Sequence, residues 1–443
     1  MQQTQNERIS LTNGRIHTQS GTASNITFEH GQIVSVNDET SSLNGRSIDL
    51  HGRTVLPAFC DTGTDFLAWA EAQERLNLSN VHSVREMSES LEAYSRANHK
   101  PLREWYVAYN LPDELVISRD DLDSVIPAMP CAVIDAGKTH AILNTVAMNE
   151  FNMPQDNVEL DEFTQHLPEL SGDDIISLVK TYSQKVNALG ISEIWADFDG
   201  SDIERLWDIF FSEAYDSLTF RLRCNFGFDN VSTLNEFLSS GLRTGDGLPF
   251  CKIGGILVKG GIEQQEQQKN MIYSAHLSGC QIISENNKSC LNALERVIKR
   301  SRKASRHIIR GFTGNIIDRM KLLGLGGITM AGHEQEDNFI HEAFQNGLVI
   351  SPGSGENLVP PVKRISSLVS GGLSAAEALS VYTWSASWNG GNEARRGELA
   401  VGNDADIVVL EQDPFLVRPE EISEIDVAMT FCAGCAVYDS GAI

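Results

Sequence analysis

The sequence predicts an α/β protein, a (β/α)8 TIM barrel that carries an inserted α/β subdomain and a small β-sandwich built from the N- and C-terminal segments as a composite domain. Three observations predict it. Both ends of the chain alternate short β-rich runs with turn signals. Neither end holds enough strands to close a core by itself. Between them, buried-looking strands alternate with amphipathic helical segments, the pattern of a parallel sheet wrapped by helices.

The chain opens with ISLTNGRIHT, NITFEHGQIVSVN and RSIDLHGRTVLPAF. Asn13-Gly14 is the dipeptide that supplies positive φ to a tight hairpin. GELAVGNDADIVVLEQD and DVAMTFCAGCAVYD have the same texture at the other end, so residues 1–56 and 398–443 are expected to pair into one sandwich. The barrel is expected over residues 57–397. Its candidate strands are TVLPAFCD, ISEIWADFD, TFRLRCNFGF, FCKIGGILVK, GCQIISEN, RHIIRGF, LGGITMAG and GLVISPG. Most are followed by a helical run such as CLNALERVIKRSRK or GNIIDRMKLLG. Such a barrel keeps its chemistry at the C-terminal ends of its strands. Residues 68–170 are too many for one strand-to-helix connection and contain their own strand-like runs, WYVAYNL and CAVIDAG. They are expected to form the inserted subdomain, a wall or lid of the site.

Composition bounds the function. The chain has 443 residues, 41% hydrophobic and 21% charged, an ordinary globular content for two or three domains. Its 35 Lys and Arg stand against 60 Asp and Glu, for a formal charge of −25. That excess repels phosphate backbones and anionic lipid headgroups, which argues against nucleic acid and membrane as partners. MQQTQNERIS lacks an apolar signal region, and no apolar run approaches the ~18–20 residues of a bilayer span, so a soluble cytoplasmic protein is expected. The 8 cysteines are scattered like reduced intracellular thiols. Cys432 and Cys435 have metal-like spacing, but without a second pair they read as a strand or hairpin with small buried thiols.

LPAFCDTGTDFLAW delivers Asp61 and Asp65 into a Thr/Gly-rich turn. Asp-Thr-Gly also marks the half-site of an aspartic protease, in which two carboxylates share one proton, and Asp439-Ser440-Gly441 could be the second half. Those residues end the chain at Ile443, leaving no polypeptide for a second lobe. The α/β periodicity also contradicts an all-β protease.

The segment LTNGRIHTQSG…ITFEHGQIVSV…IDLHGRTVLPAFCDTGTDFL resembles the entry of amidohydrolase family 3, the group around N-substituted formamide deformylase. GLSAAEALSVYTWSASW…RRGELAVGNDADIVVLEQDPF…VAMTFCAGCAVY is similar to that family's closing helix and sandwich. DAGKTHAILNTVAM resembles its insertion motif around a His and an Asn, here His140 and Asn144. The resemblance implies a barrel site with one or two divalent metals, usually zinc, that generate hydroxide for attack on an amide-like bond, and it implies a homodimer. Zinc requires about three or four His, Cys or carboxylate ligands near ~2 Å, with a position open to water. The family draws its ligands from a His-x-His after the first strand, a lysine on a middle strand, a His after each of the next two strands and an Asp after the last.

Carried over, those positions fall on Gly63-Thr64-Asp65, on Ile256 with Lys259 nearby, on Ser284 or Glu285, on Arg310, and on Gly355 with Glu356 beside it. Together these losses leave no ligand set. A guanidinium cannot coordinate; in a former cation site it would repel a metal and offer forked hydrogen bonds to a carboxylate, with Asp65 the expected partner. No cofactor is therefore predicted, the alternative being one zinc held weakly by Asp65, Glu285 and Glu356.

The strand ends still carry Asp61, Asp65, Asp197, Asp199, Lys259, Glu263, Glu285, Arg310, His333 and Glu356. Asp65, Lys259, Arg310 and His333 are the candidate acid/base and oxyanion set. His140, Asn144, Glu285 and Glu356 are the candidate substrate contacts. The competing expectation is a charge-paired network that fills the vacated metal volume. Two functions follow: a degenerate, inactive or altered amidohydrolase that binds a small polar molecule at the barrel mouth, or an active hydrolase of non-peptide carbon–nitrogen bonds that is metal-free or uses one weakly held metal. No P-loop, Rossmann glycine fingerprint or Gly-x-Ser-x-Gly elbow is present.

Overall fold

The computed structural model describes residues 7–38, 45–98, 100–261, 264–286, 288–301, 306–330, 334–355 and 357–442; the side chains of 212–213 and 334–338 fall outside the description. The chain divides into two compact units, Met1–Phe66 with Val179–Ile443, and Leu67–Leu178.

The first unit holds the barrel. Its parallel strands are β1 (Phe59–Asp61), β2 (Ile191–Asp199), β3 (Arg221–Phe228), β4 (Cys251–Val258), β5 (Ile282–Glu285), β6 (Ile308–Arg310), β7 (Gly326–Met330) and β8 (Ile350–Gly353), each paired with the next. Strands covered on both faces read as continuous buried runs, and all eight residues of β3 are buried. Cys60, Trp195, Leu257, Ile283, Ile308 and Ile328 pack together as a core cluster of the barrel. The turn after β1 joins that strand to β8. Thr62 N–H donates to the Pro352 carbonyl at 2.7 Å, Gly355 N–H to the Gly63 carbonyl at 2.7 Å, and Asp65 N–H to the Gly355 carbonyl at 3.0 Å.

Both chain termini build the sandwich. One sheet runs Cys435–Asp439, Val427–Cys432, Ile407–Leu410, Thr54–Pro57, Arg15–Thr18, Gly21–Ala23; the other runs Gln32–Val36, Ile26–Glu29, Ile9–Thr12, Arg46–Asp49. Leu11, Phe28, Val55, Ile407 and Phe431 belong to their shared core. Two sequence expectations need correction. TVLPAFCD is not one strand, because Thr54–Pro57 belongs to the sandwich and Phe59–Asp61 to the barrel. The chain changes sheets at Ala58, whose N–H turns to the Asp406 carbonyl at 3.0 Å. Asn13 does adopt positive φ (53°), yet the strands on either side lie in different sheets. Each finds its partners elsewhere in the chain, so the turn passes the chain between layers and closes no hairpin. The two-residue hairpin is Ala433-Gly434, with φ of 49° and 74°. Two successive positive values give the twist such a loop needs, and they set Cys432 opposite Cys435, both buried.

A buried ion network ties the sandwich to the N-terminal ends of the barrel strands. Arg221, at the start of β3, donates to Asp406 at 3.0 and 3.2 Å and reaches Asp404 at 3.5 Å. Arg396 donates to Glu193 on β2 at 2.6 Å and to Asp404 at 2.9 Å.

The second unit is a sheet in the order Asn157–Glu159, His140–Leu143, Cys131–Asp135, Tyr106–Leu111, Leu76–Asn77. Successive residues of a strand face opposite sides: Tyr106 and Ala108 join a core with Met87 and Leu91, while Val107 joins another with Trp105 and Phe163. Among the described residues no helix is long and apolar enough to cross a membrane.

Candidate functional site

Asp61 ends β1 and is fully buried. Its Oδ1 accepts from Gly63 N–H at 3.1 Å, from the Thr64 hydroxyl at 2.6 Å and from Ser354 N–H at 3.2 Å, and its Oδ2 accepts from the Ser354 hydroxyl. Burial pushes the carboxyl above its ordinary pKa despite these four bonds. The Asp-Thr-Gly stretch is thus a fastening between the turn after β1 and the segment after β8. Gly63 is part of the closure, since a Cβ there would lie 3.2 Å from Met330 Sδ and 3.3 Å from Gly353 Cα.

Arg310 ends β6, and only 5% of its side chain is exposed. Both terminal nitrogens reach the carboxylate of Asp197 on β2, Nη2 donating to Oδ1 at 2.9 Å. Asn225 Nδ2 donates to the same oxygen at 3.0 Å. β2 and β6 are not sheet neighbours; their side chains meet because alternate strands of such a barrel contribute to common interior layers. Burial would raise the Asp197 carboxyl, but the charge and hydrogen bonds of Arg310 outweigh it and hold the group below the ordinary carboxylate range. Burial likewise disfavours the guanidinium, and Asp197 more than compensates, raising its pKa. Arg310 Nε is buried with no hydrogen-bond partner among the described residues.

This overturns the expected pairing of Arg310 with Asp65. Asp65 is half-buried, and its backbone is held in the turn by Gly355, whereas Asp197 projects from a strand of the interior layer. Sequence reasoning had Asp197 among the strand-end carboxylates without a role. The one available signal was its place two residues before Asp199 at the end of ISEIWADFD.

Lys259 follows β4, its N–H donating to the Phe228 carbonyl at 2.9 Å. Its stem lies over Gly227, where a Cβ would come within 2.2 Å of Lys259 Cε. The ammonium meets Asp199 Oδ2 at 3.0 Å, with the two side chains 41% and 53% exposed. Burial would raise the Asp199 carboxyl, but bonds from Ser201 and Lys259 hold it low. The upper end of the barrel therefore carries one buried and one accessible ion pair.

The other candidates are dispersed. Ile256 is a fully buried apolar residue of β4, and Glu285 is exposed at the end of β5. Gly355 has φ of 65° and bridges Thr64. His333, Glu356 and Glu263 lie outside the described residues. His140 and Asn144 belong to the second unit. His140 is exposed, with Nδ1 2.9 Å from the Thr139 hydroxyl. Asn144 does not serve as a substrate contact: it is fully buried and caps a helix. Its Oδ1 accepts from Cys131 and Ala147 N–H at 3.0 and 2.9 Å, and its Nδ2 donates to the Ile126 and Met129 carbonyls at 2.8 Å. All of its donors and acceptors are engaged.

The described residues do not by themselves supply a tight metal site. Among the described residues no three His, Cys, Asp or Glu are placed to ligate one. The position where the resemblance would put the first histidine is a glycine at which even a Cβ would be tight against Met330 and Gly353, and Arg310 brings a fixed cation.

Comparison with known proteins agrees with the fold. Residues 366–438 match the Amidohydrolase family. Over 152 residues, 31% of this chain, the sequence is 29% identical to the exoenzymes regulatory protein AepA of Pectobacterium carotovorum subsp. carotovorum, and the match spans 33% of that protein's length. The structure is similar to an uncharacterized metal-dependent hydrolase from Pyrococcus furiosus (TM-score 0.76, 17% identity, 92% of this chain and 100% of the other). It is also similar to an atrazine chlorohydrolase mutant from Arthrobacter aurescens TC1 complexed with zinc and atraton (TM-score 0.60, 12% identity, 97% and 95%). The fold is shared with solved metal-dependent hydrolases.

Proposed function

We propose that this amidohydrolase-fold protein hydrolyses a carbon–nitrogen bond outside peptides, in a small polar molecule at the upper end of its barrel, without a tightly held metal centre. The observation that carries the reading is an accessible ion pair, Lys259 and Asp199 at 3.0 Å, at the same end of the barrel as a buried cation, Arg310. A carbonyl under attack gathers negative charge on oxygen, and a preorganised donor aimed at that oxygen is worth about 3–4 kcal/mol. The Lys259 ammonium is positioned for this role. Asp199, ionised at neutral pH because its bonds hold its pKa low, can orient the attacking water. Arg310 fixes Asp197 inside the barrel below that pair. The hydrolases of similar fold support hydrolysis as the general reaction.

The test is an assay of chelator-treated protein against N-acyl amines, formamides, ureides and aminotriazines, reading release of amine or ammonia. Turnover should survive chelation and fall at least about a hundredfold in Lys259→Met and Asp199→Asn. Turnover that returns only with added zinc would overturn the metal-free chemistry.

A second reading is binding without turnover, in a barrel retained for regulation. It is favoured by the Arg310–Asp197 pair inside the barrel and by the likeness of about a third of the chain to a regulatory protein. Saturable binding of an amide or ureide with no amine released, weakened by Lys259→Met, would select it.

A further inference from the structure

Outside the barrel, helices α1 (Gln265–Leu277) and α2 (Lys288–Arg300) border a cavity of about 400 Å³ along their first nine residues each. Its chemistry is one-sided. Three of the acceptors on its walls are engaged: Glu266 Oε2 takes Lys269 at 3.0 Å, Tyr273 Oη takes Arg300 at 2.8 Å, and Asn292 Oδ1 takes Arg319 at 2.7 Å, while the amides of Gln265 and Asn270 can donate as well as accept. The donors are not. Lys288 and Arg296 have no ion pair or hydrogen bond among the described residues, and the Tyr273 hydroxyl, having accepted from Arg300, retains its own proton to give. Ser289 is nine-tenths buried at the cavity wall, and its Oγ has no partner among the described residues. An unpartnered hydroxyl in such a place costs about 1–3 kcal/mol unless something accepts from it.

We propose that this cavity binds the phosphate group of a small phosphorylated molecule. A phosphate dianion offers only acceptors, which complements walls that offer mainly donors. Lys269, Lys288 and Arg296 supply three cations against the single carboxylate of Glu266, a local excess of positive charge in a chain of net −25. The first turns of both helices face the same space, and their N-terminal dipoles add to the attraction. The remaining volume exceeds that of a phosphate group, so the ligand carries a further body along Tyr273. The site is separate from the barrel mouth and does not depend on the reaction proposed there.

The test is calorimetry on the full chain with inorganic phosphate and with phenyl phosphate, against chloride at matched ionic strength. One saturable site is expected, with phenyl phosphate binding more tightly than inorganic phosphate because its ring reaches Tyr273. Affinity should fall about tenfold in Lys288→Met and in Arg296→Met and about threefold in Ser289→Ala, and should be unchanged in Lys259→Met. The two cationic side chains are exposed, so both variants should fold as the wild type does. Binding no better than that of chloride would overturn the proposal. So would phosphate binding that is lost in Lys259→Met but kept in Lys288→Met/Arg296→Met.

Discussion

At the N-terminal end of the barrel Arg221 divides its guanidinium between Asp406 and Asp404, and Arg396 spans Asp404 and Glu193. At the C-terminal end Arg310 has a single carboxylate, Asp197, and Lys259 has another, Asp199. The lower charges share partners and are shut away from water. The upper ones come in separate pairs, one of them half-exposed, and Arg310 Nε has no partner among the described residues. Both ends use arginine in the interior, but of these ion pairs only the lower ones join the barrel to the sandwich. Fixed multi-partner charge fastens a structure, whereas a single half-exposed pair such as Lys259–Asp199 leaves its donor open to a ligand.

The sharpest way to break this contrast is to remove one arginine at each end. Arg221→Met leaves Asp406 and Asp404 buried with less compensation and is expected to cost about 3–5 kcal/mol. Arg310→Met leaves Asp197 with Asn225 and partial access to water, and should cost less than half as much. Urea denaturation of both variants measures the difference. Equal losses would make the upper pair another fastening and remove the basis for assigning it a site.

Titration separates the ends by sign. His307, just before β6, is fully buried. Its Nδ1 accepts from Ile282 N–H at 3.0 Å, so its Nε2 carries the proton and donates to His276 Nδ1 at 2.9 Å. Burial, reinforced by His276, lowers its pKa from 6.5 to about 3. Between those values the unfolded chain binds a proton that the folded one refuses. Stability therefore falls as pH drops through that window, by up to about 1.4 kcal/mol per pH unit from this group. Asp61 at the upper end has a raised pKa and acts in the opposite direction, taking up a proton on folding and opposing acid loss. Urea midpoints measured from pH 7 down to about pH 4, close to the ordinary carboxylate pKa, should show a shallower decline for His307→Asn than for wild type and a steeper one for Asp61→Asn as the pH nears that lower limit.

The Asp61 fastening is the next smaller effect. Asp61→Ala strands the donors of Gly63, Thr64 and Ser354 at a buried position and is expected to cost about 1–3 kcal/mol. Asp61→Asn keeps the Oδ1 acceptor, and the Ser354 hydroxyl can rotate to accept the new amide, so it should cost under about 1 kcal/mol at neutral pH. A loss in Asn as large as in Ala would mean that the negative charge, rather than the acceptor geometry, holds the turn.

Much of this architecture is legible in the sequence because it is periodic. Strands such as ISEIWADFD and TFRLRCNFGF announce themselves as apolar-rich runs, buried from Ile191 to Ala196 and from Arg221 to Phe228, and the textures of the two ends match because they share one sheet. What stays hidden is whatever closure of the barrel creates. Asp197 and Arg310 are 113 positions apart on strands that never pair, so no local spacing announces them. From the sequence Asp65 is the plausible partner because it and Arg310 are both expected to project toward the barrel mouth. The Asp-Thr-Gly turn misleads for a related reason: its residue types suit catalysis, and only the approach of β8 shows that Asp61 is enclosed by donors from both sides of the seam. Asn144 repeats the lesson in the second unit, where a motif residue proves to be a helix cap.

The smallest expected effect on stability tests the upper end most directly. Lys259 and Asp199 are about half-exposed, and such pairs contribute about 0–1 kcal/mol, so Lys259→Met should leave the urea midpoint nearly unchanged. Gly227→Ala then asks whether the position of the ammonium matters. The new methyl would collide with Lys259 Cε, the far part of a flexible side chain, while the strand backbone accepts alanine without a positive φ. The protein should fold with little change in stability, yet with the ammonium moved off Asp199. If the pair only solvates the rim, both variants will bind and turn over ligands as the wild type does. If it positions a substrate carbonyl and a water, Gly227→Ala should retain ligand affinity within about threefold and lose turnover more than tenfold, because a displacement of about 1 Å is enough to cost that much in an oriented reaction.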